Sequence, residues 1–312
     1  MTKKIALLFS GQGAQTVGMG KDLAANYPVV ADLFKQADDV LGRSLSRIAW
    51  EGPVEELTNT ANCQPALYVH GLACLAALRQ EIGDFPIAAA AGLSLGEFTA
   101  HAAAGSFDFE TGLRIVEARG KLMQEACEAT SGAMAALIGG EENGVRDLAA
   151  QADVDVANLN SPGQIVISGE SAKIALAVAM AKEHGIRRAT VLNVAGAYHS
   201  RLMDSAYVKL GEILQATKFN TPKFPVICNV DALPVSGEQQ IRDTLQKQVT
   251  GTVRWTESVE HLIDQEKIEQ FIELGPGAVL AGLVGRTRKG AAVISIADVE
   301  SLKAAGWALP TA

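Results

Sequence analysis

Residues 87–100, IAAAAGLSLGEFTA, decide the fold. An apolar run ends at Gly92, and an amphipathic helix is predicted from just after Ser94. Between them lies Gly92-Leu93-Ser94-Leu95-Gly96, a G-x-S-x-G pattern in the strand–turn–helix setting of a nucleophile elbow. The glycines permit a sharp turn and leave room around the serine. Such a turn holds the Ser94 hydroxyl clear of the sheet at the start of a helix. There the backbone N–H of Leu95 can donate to an oxyanion. A plain turn with a capping serine gives the same local pattern; the strand before and the helix after favour the nucleophile.

Helical arithmetic extends the site downstream. A helix over 95–104 rises about 15 Å from Ser94. The short turn Gly105-Ser106-Phe107-Asp108 permits an antiparallel return along a second helix, 109–128. Ten residues along that helix, about 15 Å back, comes Arg119, near the level of Ser94. Arg119 interrupts an apolar stripe of Gly112, Val116 and Met123. A guanidinium facing a core needs an anionic partner. Two are open: Glu97, or a substrate carboxylate held by paired hydrogen bonds.

Upstream, KIALLF (4–9) reads as a buried strand running into the glycine-rich turn Ser10-Gly11-Gln12-Gly13-Ala14-Gln15. The turn is either an anion-binding loop without a P-loop lysine or a tight strand exit. Residues 22–41 have helical spacing. Residues 64–82 predict a strongly apolar helix with Pro65 near its start.

Residues 131–196 change character, giving strand, helix, strand, strand, helix, strand. This βαββαβ order is that of a ferredoxin-like unit inserted in the larger chain. His199 follows it, at the junction where clefts form. A neutral imidazole is the usual partner of a serine nucleophile, although a junction histidine held by local hydrogen bonds fits as well. His101 lies two helical turns beyond Ser94, too far for direct proton transfer. His70 reads as core, and His184 and His261 as surface. Beyond, 224–230 (FPVICNV), 268–274 and 291–297 read as strands, the last followed by a polar tail. Alternating strands and helices predict a largely parallel sheet covered on both faces.

The 312 residues are 48% hydrophobic and 20% charged, with a net charge of -8. No basic patch stands out and aromatic content is only 5%, which argues against nucleic acid as a partner. The cysteines, Cys63, Cys74, Cys127 and Cys228, form no C-x-x-C pair and read as buried thiols, as in a reducing cytoplasm. The initial apolar run is too short for a signal peptide, and no stretch reaches membrane-spanning length.

Together, Gly11-Gln12-Gly13, GLSLGE (92–97), Arg119, NLNSPGQ (158–164), AYHSRLM (197–203), Gln248 and ELGPG (273–277) resemble the malonyl-CoA:acyl carrier protein transacylase family in order and spacing. The resemblance spans nearly the whole chain. It implies an α/β fold with an α/β-hydrolase-like domain over 1–128 and 197–312, and the ferredoxin-like subdomain over 129–196. It implies that Ser94 accepts the acyl group and His199 is its base, with no aspartate orienting it. It assigns the amides of Gln12 and Leu95 to the oxyanion hole, Arg119 to the malonyl carboxylate and Gln248 to supporting the pair. Met123, Tyr198 and Asn160 complete the substrate site.

Malonyl-CoA and an acyl carrier protein are the implied partners, serving fatty-acid or polyketide synthesis in the cytoplasm, with no metal or other cofactor. Leu93 stands where many family members have a histidine. Tyr198 is expected to narrow the pocket against a methylmalonyl branch. Lys121, Arg187, Arg188 and Arg201 are candidate contacts for an acidic carrier. The rival is a serine esterase or thioesterase of α/β-hydrolase type, which expects an HGGG-type loop that this chain lacks. A carrier-binding module without catalysis is the other alternative.

Overall fold

The computed structural model describes residues 3–306; the first two positions of the opening segment and the end of the tail, 307–312, lie outside the described residues. Among the described residues ten strands follow one another: β1 (Ile5–Phe9), β2 (Ala89–Gly92), β3 (Gly132–Ile138), β4 (Asp155–Ser161), β5 (Gln164–Glu170), β6 (Arg188–Val191), β7 (Val226–Ile227), β8 (Pro234–Val235), β9 (Gln270–Leu274) and β10 (Val293–Ile296). They form an α/β fold with two sheets. The first has the order β10-β9-β1-β2-β7-β8. It is parallel except for the edge strand β8, so it is mixed rather than purely parallel. The second, β4-β5-β3-β6, is antiparallel throughout.

β1 is buried along its whole length. Ile5, Leu7 and Phe9 enter one apolar layer, and Ala6 and Leu8 the other. A strand covered on both faces needs no polar alternation, which explains the unbroken run IALLF. The alanines of β2 divide the same way, Ala90 to one layer and Ala89 and Ala91 to the other.

Several elements differ from the sequence expectation. The helix expected over 22–41 is two helices, Lys21–Asn26 and Pro28–Leu41. Tyr27 precedes a proline and is extended (φ -127°, ψ 107°), and Pro28 starts the second helix, where no N–H is needed. The apolar helix begins earlier, at Thr60, capped by Asn59, whose Oδ1 accepts from the Ala61 amide at 3.0 Å. Pro65 lies inside it and has no N–H to donate to the Ala61 carbonyl. That carbonyl instead accepts from Arg43 Nη2 at 3.1 Å. Only Val226–Ile227 of 224–230 is strand, because the chain leaves the sheet to carry Asn229 to the elbow. The tail contains the helix Val299–Gly306, with Leu302 and Ala305 buried.

A seam joins the two sheets. Val253 makes a parallel bridge with Asn158. Its amide donates to the Ala157 carbonyl at 2.8 Å, and its carbonyl accepts from the Leu159 amide at 2.9 Å.

Candidate active site

The elbow is tight. Ser94 has φ 55° and ψ -108°, a conformation that costs about 1–3 kcal/mol and needs outside support. A Cβ on Gly92 would lie 1.9 Å from the Gly96 carbonyl carbon, and one on Gly96 2.1 Å from the Phe9 carbonyl oxygen. Both positions therefore exclude any side chain. Asn229 supplies the support: its Oδ1 accepts from the Ser94 amide at 2.7 Å, and its Nδ2 donates to the Gly92 carbonyl at 2.8 Å.

His199 follows the segment that forms the second sheet and reaches Ser94, with Nε2 2.8 Å from Ser94 Oγ. Its Nδ1 lies 2.7 Å from the Gln248 backbone carbonyl, which can only accept. Nδ1 therefore carries the proton, and Nε2 presents its lone pair to the serine hydroxyl. Burial, reinforced by the Arg119 charge, pushes the imidazole down to about 4, so it is neutral at pH 7. The orienting group is thus a backbone carbonyl in place of a carboxylate.

Arg119 descends to Ser94 on the helix Phe109–Ala129 and is 1% exposed. Nη2 donates to Ser94 Oγ at 3.0 Å and to Gln248 Oε1 at 2.8 Å. Nη1 donates to Gln64 Oε1 at 2.5 Å, and Nε is buried without a partner. The guanidinium also lies 5.2 Å from the Phe98 ring centroid. Its hydrogen-bond acceptors are all neutral. Glu97 is not one of them: Gln248 stands between the two, with Nε2 donating to Glu97 Oε2 at 2.8 Å. Burial still pushes the guanidinium down, to about 10.

A cavity of about 490 Å³ opens over this cluster. Gln12, Ser94, Met123, Asn160, Tyr198 and His199 lie on its wall. Arg119 and Gln248 are a layer deeper. Leu95, fully buried, offers only its backbone. The amides of Gln12 and Leu95 have no protein acceptor among the described residues. Asn160 Oδ1 is buried without a partner. Tyr198 is tied to the wall, its hydroxyl 2.6 Å from Thr60 Oγ1 and 3.4 Å from Gln12 Nε2. Leu93 also lines the cavity.

Gln64 and Asn229 were missed by sequence reasoning. Gln64 was legible only as a buried polar residue at the start of a largely apolar helix, and Asn229 as the one amide in an apolar strand. Lys121, Arg187, Arg188 and Arg201 do not line the cavity; Arg286 does, its Nε 3.4 Å from Ser161 Oγ. Lys121 pairs with Glu117, and Arg201 with Asp153 and Asp155. His184 and His261, expected at the surface, are half-buried. His70 and His101 are buried away from Ser94, and the four cysteines are free and buried. Among the described residues no His/Cys/Asp/Glu cluster fits a metal ion, and no helix is long and apolar enough to cross a membrane.

Residues 6–308 match the acyl transferase domain family. The chain is 41% identical to the malonyl CoA-acyl carrier protein transacylase of Haemophilus influenzae over 97% of its own length and 98% of that protein. It superposes on the acyl carrier protein S-malonyltransferase of Vibrio cholerae with a TM-score of 0.93 at 42% identity, covering 97% and 99% of the two chains. A malonyl-transacylase solved in complex with its type II polyketide synthase acyl carrier protein gives 0.94 at 39% identity, covering 98% and 99%. The chain belongs to the malonyl CoA-acyl carrier protein transacylase family of acyl transferases.

Proposed function

We propose that this protein transfers a malonyl group from malonyl-CoA to the phosphopantetheine thiol of an acyl carrier protein through a malonyl-Ser94 ester. One observation carries the reading: a neutral imidazole and a guanidinium without a carboxylate partner both touch the Ser94 hydroxyl, at 2.8 and 3.0 Å. A hydrolase acting on neutral esters has no use for that cation.

In the first half, His199 Nε2 takes the Ser94 proton as Oγ attacks the thioester carbonyl. The C–S bond breaks, and His199 returns the proton to the CoA sulfur. In the second half, the carrier thiol gives its proton to His199 and attacks the ester; Ser94 leaves and recovers the proton. The exchange is redox-neutral and balanced by its two substrates, so we assign it no cofactor. The amides of Gln12 and Leu95 receive the oxyanion, each such donor being worth about 10²–10³ in rate. Arg119 holds the free carboxylate, and Gln248 supports both His199 and Arg119. Met123, Tyr198 and Asn160 form the acyl and pantetheine wall, with the Tyr198 ring opposing a branched methylmalonyl group.

We further read the first sheet as an α/β-hydrolase-like domain (1–128 and 197–312) and the second as a ferredoxin-like insertion (129–196). The order β4-β5-β3-β6, antiparallel throughout, supports the latter. The four free thiols fit a cytoplasmic setting.

The test is the intact protein mass after mixing with malonyl-CoA. One malonyl increment is expected on the wild type, none on Ser94→Ala, and slower labelling from methylmalonyl-CoA. Hydrolysis without a labelled protein would favour a thioesterase, and a labelled Ser94→Ala would remove the serine from the reaction.

A further inference from the structure

Glu97 has no role in the chemistry above, yet it is fully buried one helical turn from Ser94. Its Oε2 accepts from two donors: the Asn229 amide at 3.0 Å and Gln248 Nε2 at 2.8 Å. Oε1 is buried without a partner. The two donors belong to residues that hold the reacting groups. Asn229 clamps the strained Ser94 backbone through its side chain. Gln248 orients His199 through its carbonyl and braces Arg119 and the Ser94 carbonyl through its amide. These residues come from three separate parts of the chain, and one carboxylate oxygen is what they share.

We infer that Glu97 is a positioning residue, which ties the clamp on the nucleophile to the acceptor that orients the base and thereby fixes the Ser94–His199 distance. Glu97 also decides which way the Gln248 amide faces. A carboxylate only accepts and a guanidinium only donates, so Nε2 must face Glu97 and Oε1 must face Arg119. Burial pushes the Glu97 carboxyl up to about 7, against the pull of its two donors and Arg119. Measurements at about pH 8 therefore read the ionised form.

This inference rests on reading Ser94 and His199 as the reacting pair, so its test avoids the malonyl group. A small sulfonyl fluoride labels an activated serine, and its rate on the full-length protein is followed by intact mass. Glu97→Leu fills the space but accepts nothing; it is expected to slow labelling about tenfold or more. Glu97→Gln keeps one oxygen able to accept from both donors and is expected to restore the rate to within about threefold. The His199 Nδ1–H resonance should shift in Glu97→Leu and return in Glu97→Gln.

Wild-type labelling by Glu97→Leu would overturn the inference, as would Glu97→Gln being as slow as Glu97→Leu. If Glu97→Leu does not fold, Glu97→Asp replaces it: its carboxylate is withdrawn by one methylene, so slowed labelling supports the inference and an unchanged rate overturns it. Sulfonylation of Ser94 without malonylation would instead count against the proposed substrate and leave Glu97 to be judged by the same rates.

Discussion

Replacing Arg119 by alanine separates a substrate clamp from a structural cation. In the intact protein the guanidinium is buried and makes three hydrogen bonds, to Gln64, Gln248 and Ser94. If it receives the malonyl carboxylate, Arg119→Ala leaves a buried anion without its partner, at a cost of about 3–5 kcal/mol. That corresponds to a loss of about two to three and a half orders of magnitude in kcat/KM for malonyl-CoA. Acetyl-CoA has no carboxylate, and for it only the contact with Ser94 Oγ is lost. Its kcat/KM should fall by about tenfold at most, so selectivity collapses by about two orders of magnitude. Stability should change little. Gln64 Oε1 and Gln248 Oε1 lose a donor, but a buried cation is also removed and the vacated space adjoins the cavity. The assay is the rate of Ser94 acylation by each thioester, read as intact mass, with thermal melting as the control for folding. Arg119→Lys should fall between, because a point charge lacks the two-pronged geometry. An equal fall for malonyl- and acetyl-CoA would refute the reasoning and make the arginine structural.

The elbow and the buried histidines give two further predictions. Gly92→Ala places a Cβ 1.9 Å from a backbone carbon that no rotamer change can relieve. It should cost more than about 4 kcal/mol and yield protein that melts far below the wild type, whereas a normal melting temperature would refute the geometry. His70, His101 and His199 are pushed down by burial to about 4, 3 and 4. Their stabilising effect is therefore present above the unfolded value near 6.5 and lost as pH falls towards the folded values. Glu97, pushed up to about 7, acts in the opposite sense over the same range, and Glu273 is raised in the same direction. Three histidines against Glu97 leave a net loss of at most about 2.7 kcal/mol per pH unit between about pH 6 and 4.5, which Glu273 reduces. A melting temperature that does not fall over that window would show that the histidines are not buried as described.

What the sequence made legible was local or periodic. The elbow is contiguous, so GLSLGE announces its own turn. The contact between Arg119 and Ser94 is helix arithmetic: ten residues out, a four-residue turn and ten back. The apolar run at 5–9 marks a buried parallel strand, covered on both faces; its neighbour at 270–274 (QFIEL) is buried as well, with Gln270 and Glu273 satisfied by hydrogen bonds. What stayed hidden depends on partners distant in the chain. Asn229 lies 135 positions from the serine amide that it accepts from. Gln248 orients the histidine through a carbonyl, a group that every residue carries, so no side-chain pattern could reveal it. Glu97 offered itself as the mate of Arg119 by proximity, but a glutamine amide intervenes. The early start of the helix at Thr60 was masked by Pro65, whose cost is offset by Arg43 from another helix connection.

The bridge between Asn158 and Val253 has a mechanical corollary. Val253 follows Gln248 by a few residues, and Asn158 and Asn160 share a strand whose face lines the cavity. Shifting the second sheet outward to admit a bulky donor would pull through this bridge on the short stretch that carries the imidazole's acceptor. A variant selected for larger acyl groups by loosening that contact should therefore surrender turnover as it gains room.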